Sequence, residues 1–212
     1  MQSPSLSECL PVRALYDAIA AYLAEREPWP GIATAFAAAA PAAVQPGAPI
    51  ALALAALEAG PSTAAVVDAV HAVAPALRWQ QNPTYREPAF LRCYAYCELL
   101  GPAGIAVHPA LSAGLLYLAP ETDYPPHAHP AEEAYHLIAG RSAWQLGDAP
   151  PCWREPGARM LHPSGVAHAM RSGASPLLAL YLWRGEITEP ARFVAGACGT
   201  ADDAQQGGDP LG

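Results

Sequence analysis

Apolar residues recur at helical spacing over 12–27, VRALYDAIAAYLAERE, where Val12, Leu15, Ile19, Tyr22 and Leu23 fall on one stripe. The run Glu27-Pro-Trp-Pro-Gly31 then stops the pattern with residues that cannot continue a helix. Two more helical segments are predicted near 49–58 and 62–73, the second opened by Ser62 and Thr63 as N-cap candidates after a proline. From about 88 the texture changes. Short runs rich in Leu, Tyr, Val and Ile (FLRCYAYCELL, LSAGLLYLAP, AYHLIAG, SAWQLG, ARMLHP and PLLALYLWRGEI) alternate with Pro and Gly. Strands of that length, punctuated by turn residues, predict a mainly β antiparallel sandwich or barrel. The chain thus divides into a helical region over 1–87, a β region over 88–195 and a tail over 196–212 too poor in apolar residues to fold, hence expected to be disordered.

Composition narrows the partners. Hydrophobic residues make up 52% of the 212 and charged ones 14%, although Ala and Pro inflate the apolar figure. A formal charge of -8, with 11 basic residues scattered along the chain, disfavours a phosphate-backbone partner, so nucleic acid is not expected. The first ten residues lack a basic stretch followed by an apolar one, and no run approaches the roughly 20 apolar residues of a membrane span. A cytoplasmic protein with no membrane partner is the expectation. The cysteines (Cys9, Cys93, Cys97, Cys152 and Cys198) form an odd, scattered set and read as reduced thiols.

Chemistry concentrates in Tyr124-Pro-Pro-His127-Ala-His129-Pro-Ala-Glu132-Glu133-Ala-Tyr135. In an extended strand His127 and His129 share a face, and the parity of Glu133 and Tyr135 matches it unless a turn at Pro130-Ala131 intervenes. Imidazoles and a carboxylate suit iron(II), manganese, zinc, nickel or cobalt, and a further imidazole from a distant strand leaves coordination positions open. His136 and His162 have the opposite parity and are expected to face outward. His71 and His108 have no evident partner.

These spacings resemble the cupin family. Its first motif, HxH, three residues, Glu, six residues, Gly, is met by His127, His129, Glu133 and Gly140; its second is met by Gly157, Pro163, Gly165 and His168. Glu121 stands where the first motif usually opens with Gly, and Ser172 where the second usually ends with Asn. The strings YPPHAHPAEEAYHLIAG, PSGVAHAMRSG and LLALYLW, with Trp144 between them and RWQQNPTY upstream, are similar to the cupin-type dimethylsulfoniopropionate lyases. The resemblance implies a double-stranded β-helix (jelly roll) preceded by helices, and one divalent ion (zinc, iron(II) or manganese) on His127, His129, Glu133 and His168. It also implies β-elimination of a zwitterionic sulfonium acid to dimethyl sulfide and acrylate, and a possible homodimer. Tyr135 is the expected base, since a neighbouring cation lowers a phenol's pKa, with Tyr124 orienting the substrate. Trp183, which matches a tryptophan of the family, and Tyr181 of the same parity are the expected cation–π partners for the sulfonium. Alternatives from the same scaffold are a dioxygenase, isomerase or lyase acting on another small organic acid, or a non-enzymatic binding protein.

Overall fold

The computed structural model describes residues 6–194, so the tail expected over 196–212 lies outside the described residues. Helices come first: α1 (Leu6–Leu23), α2 (Ile32–Ala38), α3 (Ala64–Val73) and the single turn α4 (Pro88–Leu91). Strands follow as β1 (Tyr94–Gly101), β2 (Ala106–Val107), β3 (Leu111–Leu118), β4 (Asp123–Ala128), β5 (Glu132–Ala139) and β6 (Ser142–Leu146). The series ends with β7 (Cys152–Arg154), β8 (Arg159–His162), β9 (His168–Ser172), β10 (Leu177–Arg184) and β11 (Arg192–Phe193). They build a six-stranded sheet, β2-β1-β3-β10-β5-β8, facing a five-stranded one, β11-β4-β9-β6-β7. This is the cupin jelly roll, as two sheets rather than a closed barrel.

The larger sheet is covered on both sides, which explains its nearly continuous apolar strands. Ala95, Cys97, Leu99, Leu115, Tyr117, Leu178, Leu180, Ala134 and Ile138 point one way and pack against Leu15, Tyr16, Ile19, Leu23, Phe36 and the valines of α3. The alternate residues, among them Tyr94, Leu116, Tyr135, Leu137, Ala179 and Tyr181, point into the space between the sheets. Two buried phenols fasten the helical layer: Tyr16 donates to the Leu99 carbonyl, and the Tyr117 hydroxyl accepts from the Ala53 amide at 3.0 Å.

Helix expectations are met in part. α1 begins at Leu6, ahead of the expected 12, and runs through Pro11, which forfeits one hydrogen bond near the helix start. It stops at Leu23. The segment near 49–58 holds only one turn of 3-10 helix, Leu54–Ala56, with no buried residue to anchor it. So short a run is not self-sustaining in water. α2 was not anticipated; it exists because Ile32 and Phe36, four apart, bury together under α1. Thr63 does precede α3, but its hydroxyl bonds the Gly60 backbone instead of capping the helix. Cys93, Cys97 and Cys152 are free, as expected of reduced thiols.

Both departures from the cupin pattern have a structural account. Glu121, in place of the usual glycine, takes φ 52, the left-handed region that glycine serves without strain. Ser172, in place of asparagine, is buried, accepts from the Thr122 amide at 2.8 Å and donates to the Ala119 carbonyl at 2.6 Å. It ties the end of β9 to the turn between β3 and β4.

His136 corrects an expectation. Its parity does turn it away from the inter-sheet space, but that side is the helical layer and not water, so the ring is fully buried. It meets Tyr22 of α1 edge-on at 5.5 Å, with Nδ1 3.3 Å from the phenol oxygen. Burial, helped by the charges of Arg159 and Arg26, lowers its pKa from 6.5 to about 4. Between those values the unfolded chain binds the proton and the folded one does not, so stability is complete above about pH 6.5 and is lost as pH falls toward 4. At about 1.4 kcal/mol per pKa unit the loss reaches no more than roughly 3.5 kcal/mol. His136→Leu is therefore expected to flatten the pH dependence of urea unfolding across this window relative to the wild type; parallel curves for the two proteins would contradict the assignment.

Candidate metal centre

The inter-sheet space narrows where β4 and β9 of one sheet meet β5 and β8 of the other. His127 and His168 are cross-strand partners in the first pair, and Glu133 and His162 in the second. β4 ends at Ala128, so the turn anticipated at Pro130-Ala131 exists, and His129 projects from it. His129, Glu133 and His168 nevertheless present ligand atoms within 4.8 Å of one another, and all are buried. His127 stands outside that trio but beside it, buried, with its ring centroid 4.2 Å from that of His168.

The imidazoles share one orientation device. Nδ1 of His127 lies 2.9 Å from the Pro125 carbonyl, Nδ1 of His129 3.0 Å from that of Ala131, and Nδ1 of His168 3.0 Å from that of Val166. A carbonyl only accepts, so each Nδ1 carries a proton and each ring turns its Nε2 inward. Nε2 of His129 and Nε2 of His168 both lie 3.0 Å from Glu133 Oε2. The latter contact has no hydrogen-bonding angle, leaving His168 Nε2 buried without a partner. Lone pairs that face a carboxylate across 3.0 Å repel unless a cation lies among them, and a nitrogen and oxygen donor set with ring N–H groups tied to carbonyls suits a divalent metal. The residues fit such an ion.

Glu133 is held from other directions too. The Trp183 indole N–H donates to Oε1 at 2.6 Å, while the same ring stacks on His129 at 4.1 Å. Burial pushes the Glu133 carboxyl up, but the imidazoles of His129, His162 and His168 around it outweigh that and hold it well below the usual carboxylate range. His127 and His162 are both held below the ordinary imidazole value, chiefly by burial. His162, expected to face outward, points inward: its Nδ1 is 3.5 Å from Glu133 Oε2 and its ring stacks on His168 at 4.1 Å. Strand parity does not carry across a turn; the pairing of β8 with β5 opposite Glu133 sets its direction. His71 and His108 meet only nearby backbone, away from this centre.

One cavity of about 510 Å³ opens onto the cluster, and Glu133, Tyr124, Tyr135, Tyr181 and Trp183 all line it. Trp144 does not; it packs behind Tyr135 at 5.1 Å with its N–H on Ser142. Tyr124 stacks on His127 at 4.0 Å, and its hydroxyl lies 2.5 Å from that of Tyr85. Tyr85 and Tyr94, neither singled out from sequence, complete a buried aromatic group around Tyr124. Tyr85 closes the RWQQNPTY run and arrives from the connection ahead of α4, and no ligand spacing marks it or Tyr94 as part of the site. Burial is the first cause raising the pKa of Tyr124 and of Tyr135 well above 10; beside Tyr135 the Glu133 charge adds to it.

Comparison with known proteins agrees with this geometry. The family model for dimethylsulfoniopropionate lyase matches residues 10–179. The lyase DddQ of Ruegeria pomeroyi is 35% identical over 127 residues, covering 58% of this chain and 63% of that protein. Its solved structure has a TM-score of 0.69 at 28% identity, covering 88% of this chain and 98% of that one. A structure described for the lyases RdDddP and RnDddQII gives a TM-score of 0.74 at 27% identity, covering 88% and 99%. A protein of Cereibacter sphaeroides named as a candidate lyase, DddL, is 39% identical over 115 residues, covering 53% of this chain and 48% of its own. The sequence alignments thus span less than two thirds of either curated relative. Among the described residues no helix is long and apolar enough to cross a membrane. With its matched residues running from α1 into β10, this chain belongs to the dimethylsulfoniopropionate lyase family.

Proposed function

We propose that this protein is a metal-dependent lyase that splits dimethylsulfoniopropionate into dimethyl sulfide and acrylate. The observation carrying the reading is the single cavity in which the carboxylate of an imidazole-rich cluster, two tyrosines and an aromatic wall meet. Glu133, His129 and His168, with His127 beside them, are the residues to hold a divalent ion; zinc, iron(II) and manganese all suit them, and availability selects among the three. Bound there, the ion supplies Lewis-acid stabilisation to charge that builds on the substrate carboxylate.

The protein's own groups do the rest. Tyr135, next to Glu133 on the cavity wall, takes the proton from the carbon adjacent to the carboxylate. The released electron pair becomes the new double bond, and the carbon–sulfur bond breaks with its pair on sulfur. Dimethyl sulfide leaves uncharged from a sulfonium, so no acid is needed. Tyr124, stacked on His127 and bonded to Tyr85, holds the substrate against Tyr135. Trp183 and Tyr181 offer ring surface to the sulfonium. Trp183 has a second task, because its N–H fixes Glu133. Burial and the Glu133 charge keep Tyr135 a phenol, so positive charge at the cluster is what makes it a base.

Purified protein supplied with zinc, iron(II) or manganese is expected to release dimethyl sulfide into the headspace from dimethylsulfoniopropionate; silence with all three rejects the reading. Tyr135→Phe should keep its metal content and lose at least about a hundredfold in turnover, the scale of a missing general base. Full activity in that variant would remove Tyr135 from the role. For His168→Ala, metal content by atomic absorption and turnover are expected to fall together, and a fully loaded variant would exclude His168 as a ligand.

A further inference from the structure

The cavity contains a second carboxylate that the proposed elimination does not use. Glu98 of β1 lines it together with Tyr96 and Tyr181, three strands across the larger sheet from Glu133 and Tyr135 of β5. It sits on the inward face of the larger sheet. The register sets Glu98 opposite Gly114, Gly114 opposite Tyr181, and Tyr181 opposite Tyr135. At about 4.8 Å per strand, Glu98 is thus roughly 14 Å from Tyr135 along the sheet.

Gly114, paired with both Glu98 and Tyr181, carries no side chain at the register position between them; a β-carbon there would come within 2.0 Å of the Cys97 carbonyl oxygen and 2.9 Å of the Tyr181 ring. Glu98 itself is half-buried and held in place, its Oε1 accepting from the Ser112 hydroxyl at 3.2 Å. No arginine side chain lies within 4.0 Å of it among the described ion pairs, although Arg78 is near enough to act through space. Burial raises the Glu98 pKa, the expected result for a carboxylate whose charge is incompletely answered.

The charge balance of the lining is one-sided. Among the described residues it holds Glu133 and Glu98 and neither arginine nor histidine. An anionic group would be welcome only where the cluster carries a metal, whereas the Glu98 end is negative and aromatic. That combination recognises a soft, weakly hydrated cation.

We propose that Glu98 is the counter-charge for the cationic end of the ligand and makes this cavity selective for small acids that carry a sulfonium or quaternary ammonium group. The assignment rests on the lyase reading for the orientation of the substrate, carboxylate toward the cluster and cation toward Glu98. Glu98 touches no reacting atom in that arrangement; it sets specificity.

Two unreactive probes of the same shape test it: 3-(trimethylammonio)propanoate and 4,4-dimethylpentanoate, which differ by one positive charge. Calorimetry on zinc-loaded protein is expected to show the ammonium probe binding at least about tenfold more tightly. Glu98→Gln should reduce that ratio by about tenfold while the affinity for 4,4-dimethylpentanoate stays within about twofold, and Glu98→Asp should restore most of the ratio. The proposal is overturned if Glu98→Gln keeps the wild-type ratio, including the case where both affinities fall together as a merely structural role predicts. It is equally overturned if the wild type shows no preference or binds neither probe. Failure of the lyase reading looks different: no dimethyl sulfide from the wild type, with the Glu98-dependent ratio intact.

Discussion

A carboxylate almost wholly removed from water governs this molecule. Glu133 is 1% exposed, and an isolated charge at that depth costs several kcal/mol unless its surroundings answer it. Each element of the inter-sheet space contributes to that answer. β4 and its turn bring His127 and His129, β8 brings His162, β9 brings His168 and β10 brings Trp183. The three imidazoles that surround the carboxylate with inward Nε2 atoms are not free to choose their tautomer, because backbone carbonyls of Pro125, Ala131 and Val166 have already claimed the other nitrogen. Orientation is fixed by the main chain, and main-chain geometry is fixed by the sheets.

The larger sheet accounts for why such a polar centre survives in so apolar a chain. One of its faces is sealed by α1, α2 and α3, and the other is left for the cavity. Helix burial therefore stabilises the strands without filling the site. Tyr16 and Tyr117, buried at the seam, direct their hydroxyls to backbone groups on the far side of it, so even the polar atoms of the helical layer are spent on docking.

Much of this was legible beforehand. Turn residues between short apolar runs marked the strands, and the fixed intervals from His127 to Gly140 and from Gly157 to His168 marked the centre, because a ligand set must repeat its spacing to close on one ion. Less could be read where the controlling contact is distant. Whether 49–58 became a helix depended on burying a continuous face, and it packs only Leu57 and the partly buried Ile50, Leu52 and Leu54 against the core, with a single 3-10 turn and no longer helix. The ring of His162 took its direction from a neighbour 29 residues away, not from its own run. His136 was assigned the correct face, yet what covers that face could not be known until α1 was placed over it. Tyr85 and Glu98 belong to the same class: single residues with no motif spacing of their own, given meaning by distant partners, Tyr124 for the first and the cavity lining for the second.

The charges of the cavity also bear on how the proposed chemistry is controlled. Glu133, buried and adjacent, raises the cost of a Tyr135 phenolate, and burial raises it further. The same carboxylate is what attracts a divalent ion to the cluster. In the proposed reaction Glu133 would oppose the base until a cation outweighed it, and proton abstraction would be coupled to metal occupancy through one side chain. Trp183 sharpens the coupling: by donating to Oε1 it leaves Oε2 for the imidazole side, where His129 and His168 converge at 3.0 Å. On the proposed reading, a cavity arranged in this way would suppress reactive phenolate in the absence of metal and keep the negative potential that draws a cationic ligand inward. Selectivity and activation would then arise from the same two carboxylates of the lining, Glu133 and Glu98.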